Sequence, residues 1–432
     1  MSGVAPGRRS VRWCYFLWAA GAAALLALGA WWGWAEYHLR AACRLADRRA
    51  FDQALDHLGR CLQARPHYGD ALFLKARTAR RAGLYEEAEE ALSGCKDVQY
   101  DPDALDLERA LLHAQQGNLE KWVQGYLWSR VNSGHPDTDL ILEALAQGYL
   151  KSYQLASAVQ CLDQWLERRP DAAQALVWRA EAHVRLHNAS AAIKDYTQAL
   201  ELEPQRDDVR LRLAELCLQQ NRPRSALDHF RRLSEGQSDD PATLLGLARC
   251  HRQLGQTDEA RRLLDRLLSE HPGHAAALGE RGQLERSVHG AAEAEKWLRQ
   301  AVTAAPYERE LVYNYLLCLE ELGKRDEAGR WRERLQQIED DVRRLAEVVQ
   351  QITRAPNDPG PRCEAGVLLL RNGQNEEGLR WLASALQRDA GHRPTHRVLA
   401  DYYERKGDPA LAARHRQAAE QGLGEELRVE YP

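Results

Sequence analysis

The sequence is short of the residues from which catalytic and metal centres are usually assembled. No two of its nine cysteines lie within three residues of each other, which removes the C-x-x-C redox pair, zinc-ribbon spacing and C-x-x-C-H haem attachment. The odd count also speaks against a complete disulfide framework. H-E-x-x-H, G-x-S-x-G, G-x-x-x-x-G-K-[ST] and the dinucleotide-type G-x-G-x-x-G are all missing. Neither sign of charge prevails: 59 Lys and Arg against 63 Asp and Glu leave −4, so there is no basic face of the kind that draws nucleic acid by counterion release. These absences together predict a chain that is not an enzyme, with no cofactor, no metal and no nucleic-acid partner. His392 and His396 stand four apart but are expected to be ordinary surface histidines, since His392 falls in a turn. Asn188-Ala189-Ser190 spells a glycosylation sequon, again in a turn.

What is present folds. A composition of 44% hydrophobic and 28% charged residues over 432 positions is that of ordered material with a sizeable core. From Trp13 to Ala35 the run WCYFLWAAGAAALLALGAWWGWA carries no charge, and at about 1.5 Å per residue it spans roughly 34 Å, enough for a bilayer core. Trp13, Tyr15 and Trp18 at one end and Trp31, Trp32 and Trp34 at the other sit where aromatic rings favour the headgroup boundary. A cleaved signal peptide is the competing reading, but the run is longer than an ordinary apolar signal region. Arginines flank both ends, Arg8, Arg9 and Arg12 before it and Arg40, Arg44, Arg48 and Arg49 after it. A short basic leader ahead of a first span favours a cytoplasmic N-terminus with the bulk of the chain outside.

Beyond that run the chain repeats itself. Pro136, Pro170 and Pro204 are 34 residues apart, as are Pro272 and Pro306, with Ser238 at the intervening place. Units of 34 fall at 35–68, 69–102, 105–138, 139–172, 173–206, 207–240, 241–274, 275–308, 309–342, 359–392 and 393–426. Place 8 of the unit is Ala or Gly at residues 42, 76, 146, 180, 214, 248, 282, 366 and 400, and place 20 is Ala at 54, 88, 158, 192, 226, 260, 294, 328 and 412. Small side chains at fixed places let two helices approach closely, and larger residues at places 4, 7, 11 and 24 fill the space around that contact. Places 4, 7, 8 and 11 form one helical stripe. Gly83, Gly255, Gly323, Gly373 and Gly407, at place 15, end the first helix, and Asp408-Pro409 starts a second one. The third unit fits worst, with Leu112 and Gln124 at the small places, and a local distortion is expected there.

Helix-turn-helix units of 34 residues with these places filled closely resemble the tetratricopeptide repeat family. The resemblance covers residues 35 to 426 and implies an all-α fold: a right-handed α-solenoid of about eleven repeats following one N-terminal transmembrane helix. The chain then divides into a basic leader (1–12), a transmembrane segment or signal anchor (13–35), repeats one to nine (35–342), an inserted helical extension (343–358), repeats ten and eleven (359–426) and a tail (427–432). The resemblance to membrane-anchored bacterial members implies a single-pass protein of the plasma or inner membrane, with its repeats extracytoplasmic. It also implies a groove that holds a protein or peptide, so the chain reads as a non-catalytic scaffold. An accessory or regulatory subunit of a cell-envelope assembly or secretion complex is the alternative.

In that family the groove is lined by places 2, 5, 6, 9, 12 and 13 of the first helices. Across the central repeats these places hold Arg185, Arg212, Arg249, Arg252 and Arg286 against Glu181, Asp208, Glu215 and Glu280, so no strong charge preference is expected. Trp178, Tyr313 and Asn314 also fall there. Aromatics beside arginines are typical of interaction hot spots, which makes Trp178, Arg212, Arg249, Arg252, Tyr313 and Asn314 the candidate partner-binding residues. The two-carboxylate clamp of chaperone-binding relatives needs Lys and Asn at places 5 and 9, Asn at place 6 of the next unit, then Lys and Arg at places 2 and 6, and no three consecutive units supply it. The tail EELRVEYP lacks the cysteines of a rubredoxin-like knuckle. Cys61, Cys95 and Cys217 occupy packing places. In the insertion, Leu335, Ile338, Val342, Leu345, Val349 and Ile352 make a heptad stripe. It predicts either an overlong helix lying on the next repeat or a homodimer contact through 335–352.

Overall fold

In a computed structural model every regular element among the described residues is a helix, with no strand. The structure describes residue 29 and residues 31–421 apart from 153, 237–239 and 356, with the backbone alone at 236, 353 and 421. The chain divides into two compact units, Met1–Leu213 and Ala214–Pro432.

The N-terminal unit pairs α1 (31–47) with α2 (Phe51–Ala64), α3 (Gly69–Ala82) with α4 (Tyr85–Asp97), α5 (Pro102–Gln115) with α6 (Lys121–Asn132), α7 (Thr138–Lys151) with α8 (Leu155–Arg168) and α9 (Ala173–Arg185) with α10 (Ala189–Leu202). Helix α11 (Asp207–Gln219) carries the boundary. The C-terminal unit continues with α12 (Pro223–Gly236), α13 (Pro241–Gln253), α14 (Thr257–Glu270), α15 (Ala275–His289), α16 (Ala291–Ala304), α17 (Arg309–Glu321), α18 (Arg325–Arg354), α19 (Pro359–Arg371), α20 (Asn375–Arg388), α21 (Arg393–Lys406) and α22 (Pro409–Gln421).

The small places lie where the helices touch. Ala42, Ala76, Ala146 and Ala180 at place 8 and Ala54, Ala158, Ala192 and Ala260 at place 20 are fully buried. Where place 8 is glycine the approach is closer still: a methyl group on Gly282 would meet Leu298 at 2.6 Å, and one on Gly366 would meet Leu382 at 2.6 Å. First helices end in a left-handed residue, at Gly83, Gly255, Gly323, Gly373 and Gly407 as the glycines predict, but also at Arg49 (φ 59°), His187 (φ 57°) and Asn221 (φ 54°). The turn geometry is therefore kept without glycine in three repeats, at a cost that packing on either side must offset. Aspartates cap two of the proline-started helices, α13 and α22: Asp240 accepts from the Thr243 N–H at 2.9 Å and Asp408 from the Leu411 N–H at 3.0 Å.

The third repeat is distorted, and the cause is visible. Asp101 caps and Pro102 opens α5 three residues ahead of the 105 boundary, with the Asp101 side chain accepting from the Asp103 N–H at 3.1 Å. Helix α6 nevertheless starts at Lys121, where the 34-residue frame puts it. The slack is taken up in a longer connection, residues 116–120, through Gly117 at φ 90°.

Residues 1–28, which include the basic leader and most of the predicted span, lie outside the described residues. The end of the apolar run is helical and belongs to the first repeat: Ala35 is fully buried, the Trp31 Nε1–H donates to the Ala64 carbonyl at 3.1 Å, and the Arg65 guanidinium lies 4.4 Å from the Trp32 ring. The first repeat helix therefore begins ahead of the boundary at 35. Among the described residues no helix is long and apolar enough to cross a membrane.

The insertion lengthens α18 to 30 residues, and its apolar stripe is spent within the chain rather than left for a second copy. Ile338 is buried with Tyr315, Leu319 and Ala328, while Leu335 packs beside them. Val348 and Ile352 are buried against Ala365 and Leu368, with Leu345 alongside. Val342 stands out, 59% exposed, and Val349 is half-buried, so the overlong helix lying on the next repeat is what the structure shows. Successive first helices lie against each other, α3 on α5, α5 on α7, α7 on α9, α13 on α15, α15 on α17 and α19 on α21, and among the described residues no comparable contact between two second helices is seen. The first helices thus form the inner wall within each unit. Among the described residues α17 and α19 make less contact than these pairs, the long α18 lying between them, though Tyr307 ahead of α17 lies against Gly373 after α19.

Candidate functional site

On the inner wall of the N-terminal unit, charge is concentrated where first helices end. Glu143, in the middle of α7, is buried and is held by Arg49 Nη1 at 2.7 Å and Arg81 Nε at 3.2 Å. Burial would raise its carboxyl, but Arg49, Arg81 and Arg80 outweigh that and hold it below the usual carboxylate range. Burial in turn lowers Arg81, against the opposing pull of Glu143. Behind them the fully buried Arg80 donates to Glu108 at 2.5 Å and to Gln115 Oε1 at 2.7 Å. Buried charges of this kind persist only when paired and hydrogen-bonded, so this network fixes the ends of α3, α5 and α7 against one another.

Next to that network is a cavity of ≈ 390 Å³ with Arg81, Tyr85, Lys151, Trp178, Glu181 and Arg185 on its walls. Arg49 reaches it from the α1–α2 turn, its guanidinium 5.5 Å from the Phe51 ring and 5.4 Å from the half-buried Trp178 ring. The Lys151 ammonium lies 4.7 Å from the Tyr85 ring and donates to its hydroxyl. Arg212 pairs with Glu181, and Arg185 Nη1 donates to the Leu150 carbonyl at 3.1 Å.

In the C-terminal unit the buried Glu280 accepts from Arg249 Nε at 2.7 Å and from Arg252 Nε at 2.8 Å. A second cavity, ≈ 550 Å³, opens along the middle of α18 where α17 and α19 are set apart, with Tyr307, Arg309, Val342 and Asn372 among its walls. The predicted residues thus separate by unit. Trp178 and Arg212 flank Glu181 in the first, while Arg249 and Arg252 converge on Glu280 in the second and Tyr313 stands 47% exposed on α17. Asn314 is a correction: it is 7% exposed and its Nδ2 has no hydrogen-bond partner, because one step along a helix turns a side chain by about 100° from its exposed neighbour towards the core. His396 is a second correction. It is buried, not a surface histidine, and its Nδ1 meets that of the buried His415 at 2.9 Å. The same pairing joins His38 and His57 in the first repeat at 2.8 Å.

Arg81, Lys151 and Glu143 were within reach of sequence reasoning, since they occupy wall places 13, 13 and 5 of the N-terminal repeats. Arg49 was not, because it comes from a turn and meets Glu143 across 94 residues.

Comparison with known proteins agrees with this architecture. Residues 45–111, 183–242 and 218–283 match one tetratricopeptide repeat model and 143–189 another. Human protein O-mannosyl-transferase TMTC3 is 23% identical over 284 residues, covering 65% of this chain, while the chain covers 29% of that protein's length. Among solved structures, YrrB, described as a TPR protein with an unusual peptide-binding site, is 19% identical over 43% of this chain and 96% of its own, with a TM-score of 0.37. PilW, described as a widely conserved type IV pilus biogenesis factor, is 20% identical over 46% of this chain and 92% of its own, with a TM-score of 0.40. The fold is one typical of protein–protein interaction scaffolds and generally non-catalytic. With small residues at the repeating helix contacts, helix pairs throughout the described residues and repeat matches in both units, the chain is a tetratricopeptide repeat protein.

Proposed function

We propose that the chain is a non-catalytic scaffold that captures a protein or peptide along the inner wall of its first helices while the part of the apolar run ahead of the first repeat helix, from Trp13, tethers it to a bilayer. The cavity beside Trp178 carries this reading: it combines an aromatic face, exposed cations and rigid walls fixed by the buried Glu143 and Glu108 pairs, the make-up of an interaction hot spot. The span of 23 uncharged residues and its flanking tryptophans support the tether, and the short basic leader supports a cytoplasmic N-terminus with the repeats on the far side. The activity named for the human relative stays with that protein, of which this chain covers under a third.

Crosslinking in intact membranes followed by mass spectrometry tests the proposal, with a reporter fused after Pro432 to fix topology. Crosslinks from a partner are expected on α3, α7 and α9, and Arg212→Glu should weaken capture several-fold without altering the thermal unfolding curve. Crosslinks confined to the second helices would move the site off the wall. Loss of membrane association failing to follow deletion of 13–28 would remove the tether.

A further inference from the structure

We infer, resting on the tether reading, that the first repeat is itself seated in the phospholipid headgroup layer. An aromatic collar on α1 and the end of α2 with its following turn make the contact, so the repeats are mounted on the bilayer without a linker.

The collar is a local concentration of exposed rings. Trp31, Trp32, Trp34 and Tyr37 are between 42% and 59% exposed, and no other stretch of seven described residues exposes more than two large hydrophobic side chains. At about 100° per residue their side chains leave the helix at about 0°, 100°, 300° and 240°, so the rings encircle the axis. An apolar stripe along one side would fit the groove of a partner protein. Rings on all sides fit a helix that leaves a bilayer through the interface, where Trp and Tyr concentrate. From Trp31 to Tyr37 the helix rises about 9 Å, close to the depth of one headgroup layer, about 5–8 Å.

The chain ahead of the collar agrees. After Arg12 the first charged residue is Glu36, already inside α1, so no polar spacer separates the uncharged run from the repeat. With the collar at one interface, residues 13–30 remain for the hydrocarbon core. As a helix they would cover about 27 Å, within the range of a span.

Packing carries the depth of the collar over to α2. The Trp31 Nε1–H donates to the Ala64 carbonyl at 3.1 Å, and the Arg65 guanidinium lies 4.4 Å from the Trp32 ring and 3.7 Å from the Tyr68 ring. The end of α2 is therefore level with the collar. The Tyr68 hydroxyl donates to Glu36 at 3.2 Å and Arg40 pairs with the same carboxylate at 2.9 Å, so the acid nearest the lipid is neutralised. Arg65 makes no ion pair among the described residues, and its N–H groups suit lipid phosphates. Trp32 remains exposed although Arg65 covers one of its faces, and His67 stands exposed in the turn.

The test uses the full-length chain in liposomes of phosphatidylethanolamine and phosphatidylglycerol, with the photoreactive residue benzoylphenylalanine in place of Tyr37, His67 or Asp47, one position at a time. Flotation reports the tether, and mass spectrometry after irradiation reports lipid adducts. Positions 37 and 67 should give adducts at least ten-fold above position 47, which is exposed about 15 Å further along α1 than Tyr37. Combining Trp32→Ala with Arg65→Glu should cut the adduct at 67 at least three-fold while flotation and the circular dichroism melt stay unchanged. Flotation without an adduct at 67, equal adducts at all three positions, adducts to a second copy of the chain in place of lipid, or a wild-type adduct at 67 in the double variant would overturn the inference and leave the tether standing. A chain that fails to float would bring both down.

Discussion

Gly366 and Gly378 face one another in the tenth repeat. A methyl group on Gly378 would lie 3.0 Å from the Gly366 carbonyl oxygen, and one on Gly366 would lie 2.6 Å from Leu382. Overpacking a filled contact costs about 1–3 kcal/mol, so Gly366→Val should lower the unfolding free energy read from urea titration by that much. Gly59, inside α2, has open space around it, and Gly59→Ala should raise the unfolding free energy by about 0.5–1 kcal/mol through helix propensity alone. Equal effects at the two glycines would mean that place 8 is not a close contact. The buried cysteines obey the same logic of fit. Burial pushes the thiols of Cys95 and Cys318 up to about 11 and that of Cys161 well above its ordinary value, which leaves them protonated packing groups rather than nucleophiles. At this scale the sequence was most legible, because a required small residue can be spelled in few ways. It was least legible where a long side chain chooses its own destination: nothing in the letters sends Arg49 to Glu143, or turns Asn314 inward beside an exposed Tyr313.

The paired histidines give the first and last repeats a property of their own. His38 and His57, like His396 and His415, occupy places 4 and 23, so one helix of the pair faces the other through two imidazoles. The His396 Nε2–H donates to the Ala390 carbonyl at 2.9 Å, which leaves its Nδ1 to accept from the Nδ1–H of His415. Tyr403 stacks on His415, and Arg414 adds repulsion. Burial, then His396 and Arg414, lower His415 from 6.5 to about 4. The unfolded chain thus takes up this proton at a higher pH than the folded one. The stabilisation is whole above pH 6.5 and is lost as pH falls towards 4, by up to roughly 3 kcal/mol. Corrected for the intrinsic exchange rate, the protection of amides in α21 and α22 should fall between pH 7 and pH 4.5, and His415→Gln should flatten that dependence; an unchanged slope would mean the pair does not titrate with unfolding. Helix α5 shows how far elements were legible. The poor fit of the third repeat announced a distortion, but its form, a start moved back by one turn, came from the local strength of Asp101-Pro102.

Across the molecule the 34-residue period was plain, because stacking repeats the same contact each time. The division into units at Leu213 and Ala214 was not, since it follows from small differences among contacts that share one pattern. The stripe in the insertion was legible as apolar and helical but not in its use: spacing alone does not say whether the surface covering it belongs to the same chain or another. Leu335, Ile338, Leu345 and Ile352 pack within the chain while Val342 is exposed, and Val342→Glu should therefore alter neither the mass measured by light scattering nor, beyond about 0.5 kcal/mol, the stability. A halved mass would restore a contact between copies.

A stack held by nearest neighbours is only as continuous as its weakest junction. Between α17 and α19 the long α18 carries most of the connection to the last four helices, with Tyr307 against Gly373 as a lesser tie. Under tension or protease attack the molecule should part at this joint first, releasing a terminal piece that holds its shape while the rest of the array stays folded.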